Sequence, residues 1–333
     1  MRCPGRFRRA KASTSGPIAV LGTAGLHLTG PDSAGDPWGP RPVPWGGAVA
    51  RLRASTSARR LVPTGVALLG TDLLCRAALR LSGRRMRAAT ARVATIVAGT
   101  PAAVDLPNMT RGYVAAQARA WELSWRPWEL PRIPIRGQER LAAARATGRG
   151  IIVSHTHLGP LTGWVPLVRM LHPMLFPQGD WLVEEPKPGY RGYQVEQTRK
   201  VLRAAGAQMM HNVGSAPRVH RVLRGGGAVL ISMDVPGERR TEFLGKPVDL
   251  DDGTARLAAR SDALVLPAAL MPVGRRWEIE IHEALDPRSF AEPDELHLAL
   301  SRVHEQLIMR APENLESPDR LWARATTEGW FRD

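Results

Sequence analysis

An α/β fold, with a mostly parallel central sheet flanked by helices and an N-terminal helical part in front of it, is predicted by three features of the chain. From residue 134 onward short apolar runs alternate with helical patterns, the rhythm of strand–helix–strand units. Two of the runs, "IIVSH" (151–155) and "AVLISMD" (228–234), are apolar without alternation, as strands buried on both faces are. Glycine stops such as "GRG" and "RGGG" close the helical stretches just before those strands.

Residues 1–58 are rich in Gly, Pro, Ser and Arg without sustained periodicity, and read as disordered or as a start assigned too far upstream. A helical part follows over 59–133. Leu68, Leu69, Leu73, Leu74, Ala77, Ala78 and Leu81 recur near helical spacing, "SGRRMRAATARVATIVAG" adds a basic face, and a further helix is predicted over 109–124. "WRPWELPRIP" is a proline-rich connector into an α/β core over 134–325. That core reads as strand "IPIRG", helix "GQERLAAARATGRG", strand "IIVSH", helices "GWVPLVRMLHP" and "YQVEQTRKVLRAAGA", strand "AQMMH" and helix "SAPRVHRVLRGGG". Strand "AVLISMD", a loop, helix "TARLAARSDA", strands "LVLPAALM" and "RWEIEIHEAL", and the helix "DELHLALSRVHEQLIMRAP" complete it. The acids of "RWEIEIHEAL" fall on one strand face, predicted to be the solvated one.

Composition bounds the function classes. The 333-residue chain carries a formal net charge of +15, and only four of its 46 basic residues are lysine (Lys11, Lys187, Lys200 and Lys246). Part of this arginine excess reflects high-GC coding; the balance still favours anionic partners. The arginines are spread along the chain with no nucleic-acid recognition motif, so no nucleic-acid partner is expected. Cys3 and Cys75 make neither a disulfide framework nor a metal cluster, and His172, His211, His220, His282, His297 and His304 lack metal-ligand spacing; no metal is expected. No run of 18 uninterrupted apolar residues is present, and the basic N-terminus has no apolar segment after it, so neither a membrane-crossing helix nor a secretory signal is expected. Trp121, Trp125 and Trp128, with Arg126 and Arg132, form either an interfacial patch or ordinary packing.

His155 and His157 end a buried strand and run into Gly159-Pro160. Histidine titrates near neutrality, so a histidine at a strand end is a candidate acid or base, and ligands of parallel sheets sit at the carboxyl ends of the strands. Asp234 closes another such strand and either caps the following turn or serves the site. Arg239 and Arg240 just beyond it are either a solvated pair or a phosphate-binding one. Thr254 opens a predicted helix, either as its N-cap or as part of a helix N-terminus that binds phosphate or an oxyanion.

From about residue 85 to 325 these blocks resemble the bacterial lipid A lauroyl/myristoyl acyltransferase family, of the lysophospholipid acyltransferase-like superfamily, which includes phosphatidylinositol mannoside acyltransferases. The blocks that carry the likeness are "IRGQERLAAARATGRGIIVSHTHLGP" and "GGGAVLISMDVPGERRTEFLGKPVDLDDGTARLAARSDALVLPAALM", with Phe243-Leu244-Gly245 and the Gly253–Ala258 element inside the second. The resemblance implies transfer of an acyl chain from acyl-CoA or acyl carrier protein to a hydroxyl of a membrane glycolipid. It implies no cofactor, and a peripheral enzyme whose basic N-terminal helices associate with the anionic cytoplasmic face of the plasma membrane. It also implies a histidine general base, here His157 with His155 as the alternative, followed after four residues by an orienting Asp or Glu. The chain departs from that pattern: Thr162 stands five residues after His157 and Pro160 five after His155. Another acid must then orient the ring, Asp234 first and Glu184 or Glu185 behind it, or the chain binds lipid or acyl carrier without transfer. Gly159, Arg239, Arg240 and Thr254 are the expected substrate- or phosphate-binding positions.

Overall fold

The computed structural model describes residues 56–81, 83–178 and 190–316. Cys3, Glu184 and Glu185 lie outside them.

The helical part contains α1 (Thr56–Arg60), α2 (Thr64–Leu81), α3 (Gly83–Val97) and α4 (Leu106–Ser124). Leu68, Asp72 and Leu79 of α2 turn inward at spacings of four and seven, as one helix face requires. Burying Asp72 demands cationic partners: Arg275 donates from Nε to Oδ2 at 2.8 Å, and Arg119 of α4 lies 3.4 Å from Oδ1. Arg126, 2% exposed, donates to the carbonyls of Arg59 (3.1 Å) and Val62 (2.8 Å) and to Glu122 Oε1 (2.8 Å), with its guanidinium 5.8 Å from the Trp128 ring centroid. Trp125 is also buried. Trp125 and Arg126 are therefore packing groups that seat the entry into α2, whereas Arg132 is exposed.

The core contains β1 (Ile135–Arg136), α5 (Gln138–Ala146), β2 (Ile151–His155), α6 (Val165–Met170), β3 (Met174–Gln178), α7 (Tyr190–Ala205) and β4 (Ala207–His211). Then follow α8 (Ala216–Arg224), β5 (Ala228–Ser232), β6 (Pro236–Phe243), β7 (Lys246–Leu250), α9 (Gly253–Ser261), β8 (Leu264–Val273), β9 (Arg276–Ile281) and α10 (Pro293–Arg310), with a 3₁₀ turn at Pro312–Asn314. Seven strands form one sheet in the order β1-β9-β8-β2-β5-β3-β4. β8, β2, β5, β3 and β4 are mutually parallel; β9 runs antiparallel to β8 and parallel to β1. Ile151 and Val153 pack with α5, α6 and α7 on one face, and Ile152 packs with α8, α9 and α10 on the other. That two-sided burial is why these strands read as unbroken apolar runs.

Three local expectations are corrected. β3 was not predicted, because Pro177 inside "MLFPQ" breaks the strand signature and removes a ladder donor. The loop after "AVLISMD" is a two-stranded hairpin, β6–β7, turning through Leu244 (φ 54°) and Gly245 (φ 68°). Two consecutive positive φ values make the turn most hairpins use, but Leu is a poor former of it; its side chain, 2% exposed among Phe243, Val248 and Leu307, offsets the strain. Glu280 on β9 is not solvated but 7% exposed. It accepts hydrogen bonds from Arg136 and from Arg310 (Nη1 2.8 Å, Nη2 2.9 Å), with His282 Nε2 2.9 Å away.

Burial by itself raises the Glu280 pKa, but hydrogen bonds from Arg310 and Arg136 and their charges outweigh it, leaving the carboxyl at about 2 against an ordinary 4.5. A group with a depressed folded pKa stabilises fully above its unfolded value and loses that contribution as pH falls through the folded one. Urea unfolding of wild type therefore loses stability between pH 4.5 and about 2 more steeply than Glu280→Gln does; parallel pH profiles would contradict this assignment.

Candidate active site

The site is built by strand register. β2 and β5 pair in parallel from Ile151↔Ala228 to His155↔Ser232, and the ladder extends one step further as Met233 N donates to His155 O at 2.7 Å. Two residues past the last pair, the same register sets His157 opposite Asp234. Neighbouring strands lie about 4.8 Å apart, so side chains at one level meet. His157 Nδ1 lies 2.8 Å from Asp234 Oδ1, and the His157 backbone N–H donates to Asp234 Oδ2 at 2.8 Å. One carboxylate thus holds both the ring and the peptide of the histidine. Charge-assisted hydrogen bonds of this kind contribute about 1.5–3 kcal/mol each.

Asp234 has a side chain 3% exposed, whereas that of His157 is 29% exposed. Burial alone would raise the Asp234 pKa; the charge of His157 and hydrogen bonds from its ring and backbone outweigh this and hold the carboxyl below the ordinary value. The carboxylate is therefore ionised near neutrality and only accepts, so Nδ1 carries the proton. The basic lone pair of the neutral ring then belongs to Nε2, on the far side of the ring from Asp234. This is the arrangement that readies an imidazole to take a proton from a hydroxyl and stabilises the imidazolium that results.

His155, the alternative base, is placed otherwise. It is 1% exposed, its Nδ1 lies 3.0 Å from the Thr156 carbonyl, its Nε2 lies 3.1 Å from Ser232 Oγ, and Trp164 packs on it at 5.0 Å between centroids. Burial, with the charge of His157 6.0 Å away between ring centroids, drives its pKa down to about 4. It is a neutral floor beneath His157. Ser154, on the opposite face of β2, meets His304 Nε2 of α10 at 3.0 Å. Sequence reasoning set His304 aside for lacking metal-ligand spacing and gave it no place beside β2; burial pushes it to about 3, and only its place on the inward face of α10 could have signalled the contact.

The remaining predicted positions divide. Thr162 lies in a buried 3₁₀ turn, Leu161–Trp164, and its Oγ1 has no hydrogen-bond partner among the described residues; the carboxylate that meets the His157 ring is that of Asp234. Gly159 (φ 79°) is not a ligand-binding amide, because its N–H donates to Asn314 O at 3.0 Å. A Cβ there would also meet Leu270 Cβ at 3.0 Å and Trp277 Nε1 at 3.1 Å, so the turn requires glycine. Thr254 is not the N-cap of α9: Asp252 occupies that position, Asp251 Oδ1 accepts from Gly253 N at 2.9 Å, and Thr254 is 3% exposed inside the first turn. Arg239 and Arg240 sit on strand β6 rather than in a loop, exposed, with Arg239 paired to Asp294 and Arg240 3.5 Å from Asp249. Among the described residues no group of three or more His, Cys, Asp or Glu is placed to hold a metal ion.

The fold and site together define an α/β protein with a His–Asp dyad at the carboxyl ends of adjacent parallel strands. No protein-family model and no curated protein matches the chain. Among solved structures, the 1-acyl-sn-glycerophosphate (LPA) acyltransferase PlsC from Thermotoga maritima is similar at 18% sequence identity, covering 58% of this chain and 81% of that chain with a TM-score of 0.35. A likeness of that size leaves the functional argument to the residues themselves.

Proposed function

We propose that the chain is an O-acyltransferase of the lysophospholipid acyltransferase-like superfamily, moving an acyl chain from acyl-CoA or acyl carrier protein to a hydroxyl of a membrane glycolipid. The observation that carries the proposal is the His157–Asp234 dyad. A sugar hydroxyl is a poor nucleophile at neutral pH; His157 Nε2 takes its proton as the oxygen attacks the thioester carbonyl, and Asp234 stabilises the imidazolium. The thiol leaves with a proton returned from that imidazolium, so the dyad ends as it began. The two sequence blocks that resemble the acyltransferase family bring His157 and Asp234 to the dyad, which supports the reading. A chain that binds lipid without transfer is the alternative suggested by the threonine at the expected acid position; the Asp234 carboxylate just past β5, hydrogen-bonded to His157, supports transfer over it.

Arg239 and Arg240 remain candidates for the phosphates of the donor or acceptor, on condition that an anion displaces their present carboxylate partners. The membrane partner is proposed from α2. Its outward residues Val66, Leu69, Leu73, Leu74 and Leu81, with Leu61 and Val62 before it, are exposed. Arg76, Arg80, Arg84 and Arg87 lie exposed beside them. An apolar stripe edged by arginines suits the interface of an anionic leaflet, with the protein peripheral on the cytoplasmic face. No described helix is long and apolar enough to cross a membrane.

With radiolabelled acyl-CoA and membranes carrying glycolipid acceptor, His157→Ala and Asp234→Ala each lower acyl transfer by about 10²-fold or more. Transfer by His157→Ala at the wild-type rate would remove the proposed base. In vesicle sedimentation, Leu69→Ser/Leu73→Ser weakens binding to vesicles containing anionic lipid by about tenfold, and wild type binds zwitterionic vesicles more weakly than anionic ones. Unchanged binding of the double variant would contradict the proposed face.

A further inference from the structure

We infer that residues 312–316 form a clip that positions His157, so that Glu316, Leu315 and Asn314 are positioning residues for the dyad although none lies on the strands that carry it. The inference rests on the reading of His157 as the proton acceptor and deepens it.

His157 lies past the last rung of the β2–β5 ladder, where the sheet no longer holds the chain. Asp234 restrains its N–H and its ring. Its carbonyl is held from elsewhere: Glu316 N donates to His157 O at 2.7 Å, Gly159 N donates to Asn314 O at 3.0 Å, and Leu158 and Leu315 between them form an isolated antiparallel bridge. Leu158 and Leu315 are each 1% exposed and Asn314 2%. This two-stranded contact, one residue long, is buried and closed on both sides by hydrogen bonds.

The clip is itself anchored. Arg310, at the end of α10, grips Glu280 of β9 with two hydrogen bonds. Asn314 N then donates to Ala311 O (2.9 Å) and Leu315 N to Pro312 O (3.2 Å), tightening the chain into the 3₁₀ turn. From α4, Gln117 Nε2 donates to Leu315 O at 3.3 Å. Gly112 of α4 allows close approach there, since a Cβ on it would lie 3.2 Å from Glu313 Cγ. The His157 loop is thus tied through the clip to β9, α10 and the helical part at once. A misplacement of about 1 Å at a reacting group costs on the order of 10²-fold in rate. A loop tethered by Asp234 alone has the freedom to make such an error.

One atom tests this. Glu316 is exposed, and Leu315 before it has φ −69° and ψ 122°, the conformation that a residue preceding proline adopts. Glu316→Pro therefore deletes the N–H that holds His157 O, while Glu316→Ala removes the side chain and keeps that N–H. The expected result is that Glu316→Pro lowers kcat for acyl transfer about tenfold with KM within about twofold of wild type, whereas Glu316→Ala changes both by less than about twofold. Carbethoxylation of His157, followed by mass spectrometry, is faster in Glu316→Pro than in Glu316→Ala by about threefold or more. Should Glu316→Pro fail to fold, Leu315→Ala replaces it and shows the same kcat loss and faster modification per folded molecule. A merely structural clip would lower the melting temperature and leave both quantities unchanged, and that outcome overturns the proposal. If wild type transfers no acyl chain, the functional reading fails, and the modification ratio alone decides the clip: equal rates overturn it.

Discussion

The register between β2 and β5 is the constraint on which the site depends. Every pair from Ile151↔Ala228 to His155↔Ser232 shares one offset, and carrying that offset two residues further sets His157 against Asp234. The side chains before them are the means of fixing it. Ile151 and Val153 commit one face of β2 to the core beneath α5 and α6, and Ile152 commits the other face to the α8–α10 side. A slip of one residue would turn every one of these side chains to the wrong face. Core packing far from the dyad therefore sets the distance between its two groups.

Around the dyad, burial sorts the ionisable groups into two kinds. His155 and His304, sunk in the core on opposite faces of β2, are held neutral with pKa values of about 4 and 3. Asp234 is as deeply buried yet stays charged, because His157 presents both a ring nitrogen and a backbone N–H to it. A charged His155 would oppose the imidazolium formed on His157 6.0 Å away. Its neutrality leaves the Asp234 carboxylate as the charged group hydrogen-bonded to the more exposed ring. The low local dielectric strengthens that pairing.

Much of the α/β core was legible because strands buried on two faces and helices closed by glycine leave plain patterns; β2, β5 and the helices before them were read from those patterns. Two elements were not. β3 carries Pro177, and β6–β7 turns on a leucine forced to φ 54°, a residue whose local preference opposes the turn and whose burial overrides it. In the site, His157 and Asp234 were both visible as strand ends. That two hydrogen bonds join them was not: Asp234 could be offered only as the first substitute for the acid that Thr162 displaces, because 77 residues separate the pair and register joins them. Glu280 was misread as solvated for a related reason: its partners Arg136 and Arg310 come from distant parts of the chain. The clip at Asn314–Glu316 left no sequence signal, because its contacts with the His157 loop are made largely by the backbone, which every residue shares.

That an ionised carboxylate just past β5 sets which ring nitrogen carries the proton in a histidine just past β2 can be read by ¹⁵N NMR of the His157 imidazole at neutral pH. A proton held on Nδ1 is expected in wild type, with a return in Asp234→Ala to the Nε2–H form that neutral free imidazole side chains prefer. A wild-type ring protonated on Nε2 alone, or one whose tautomer is the same with and without the Asp234 carboxylate, would contradict it.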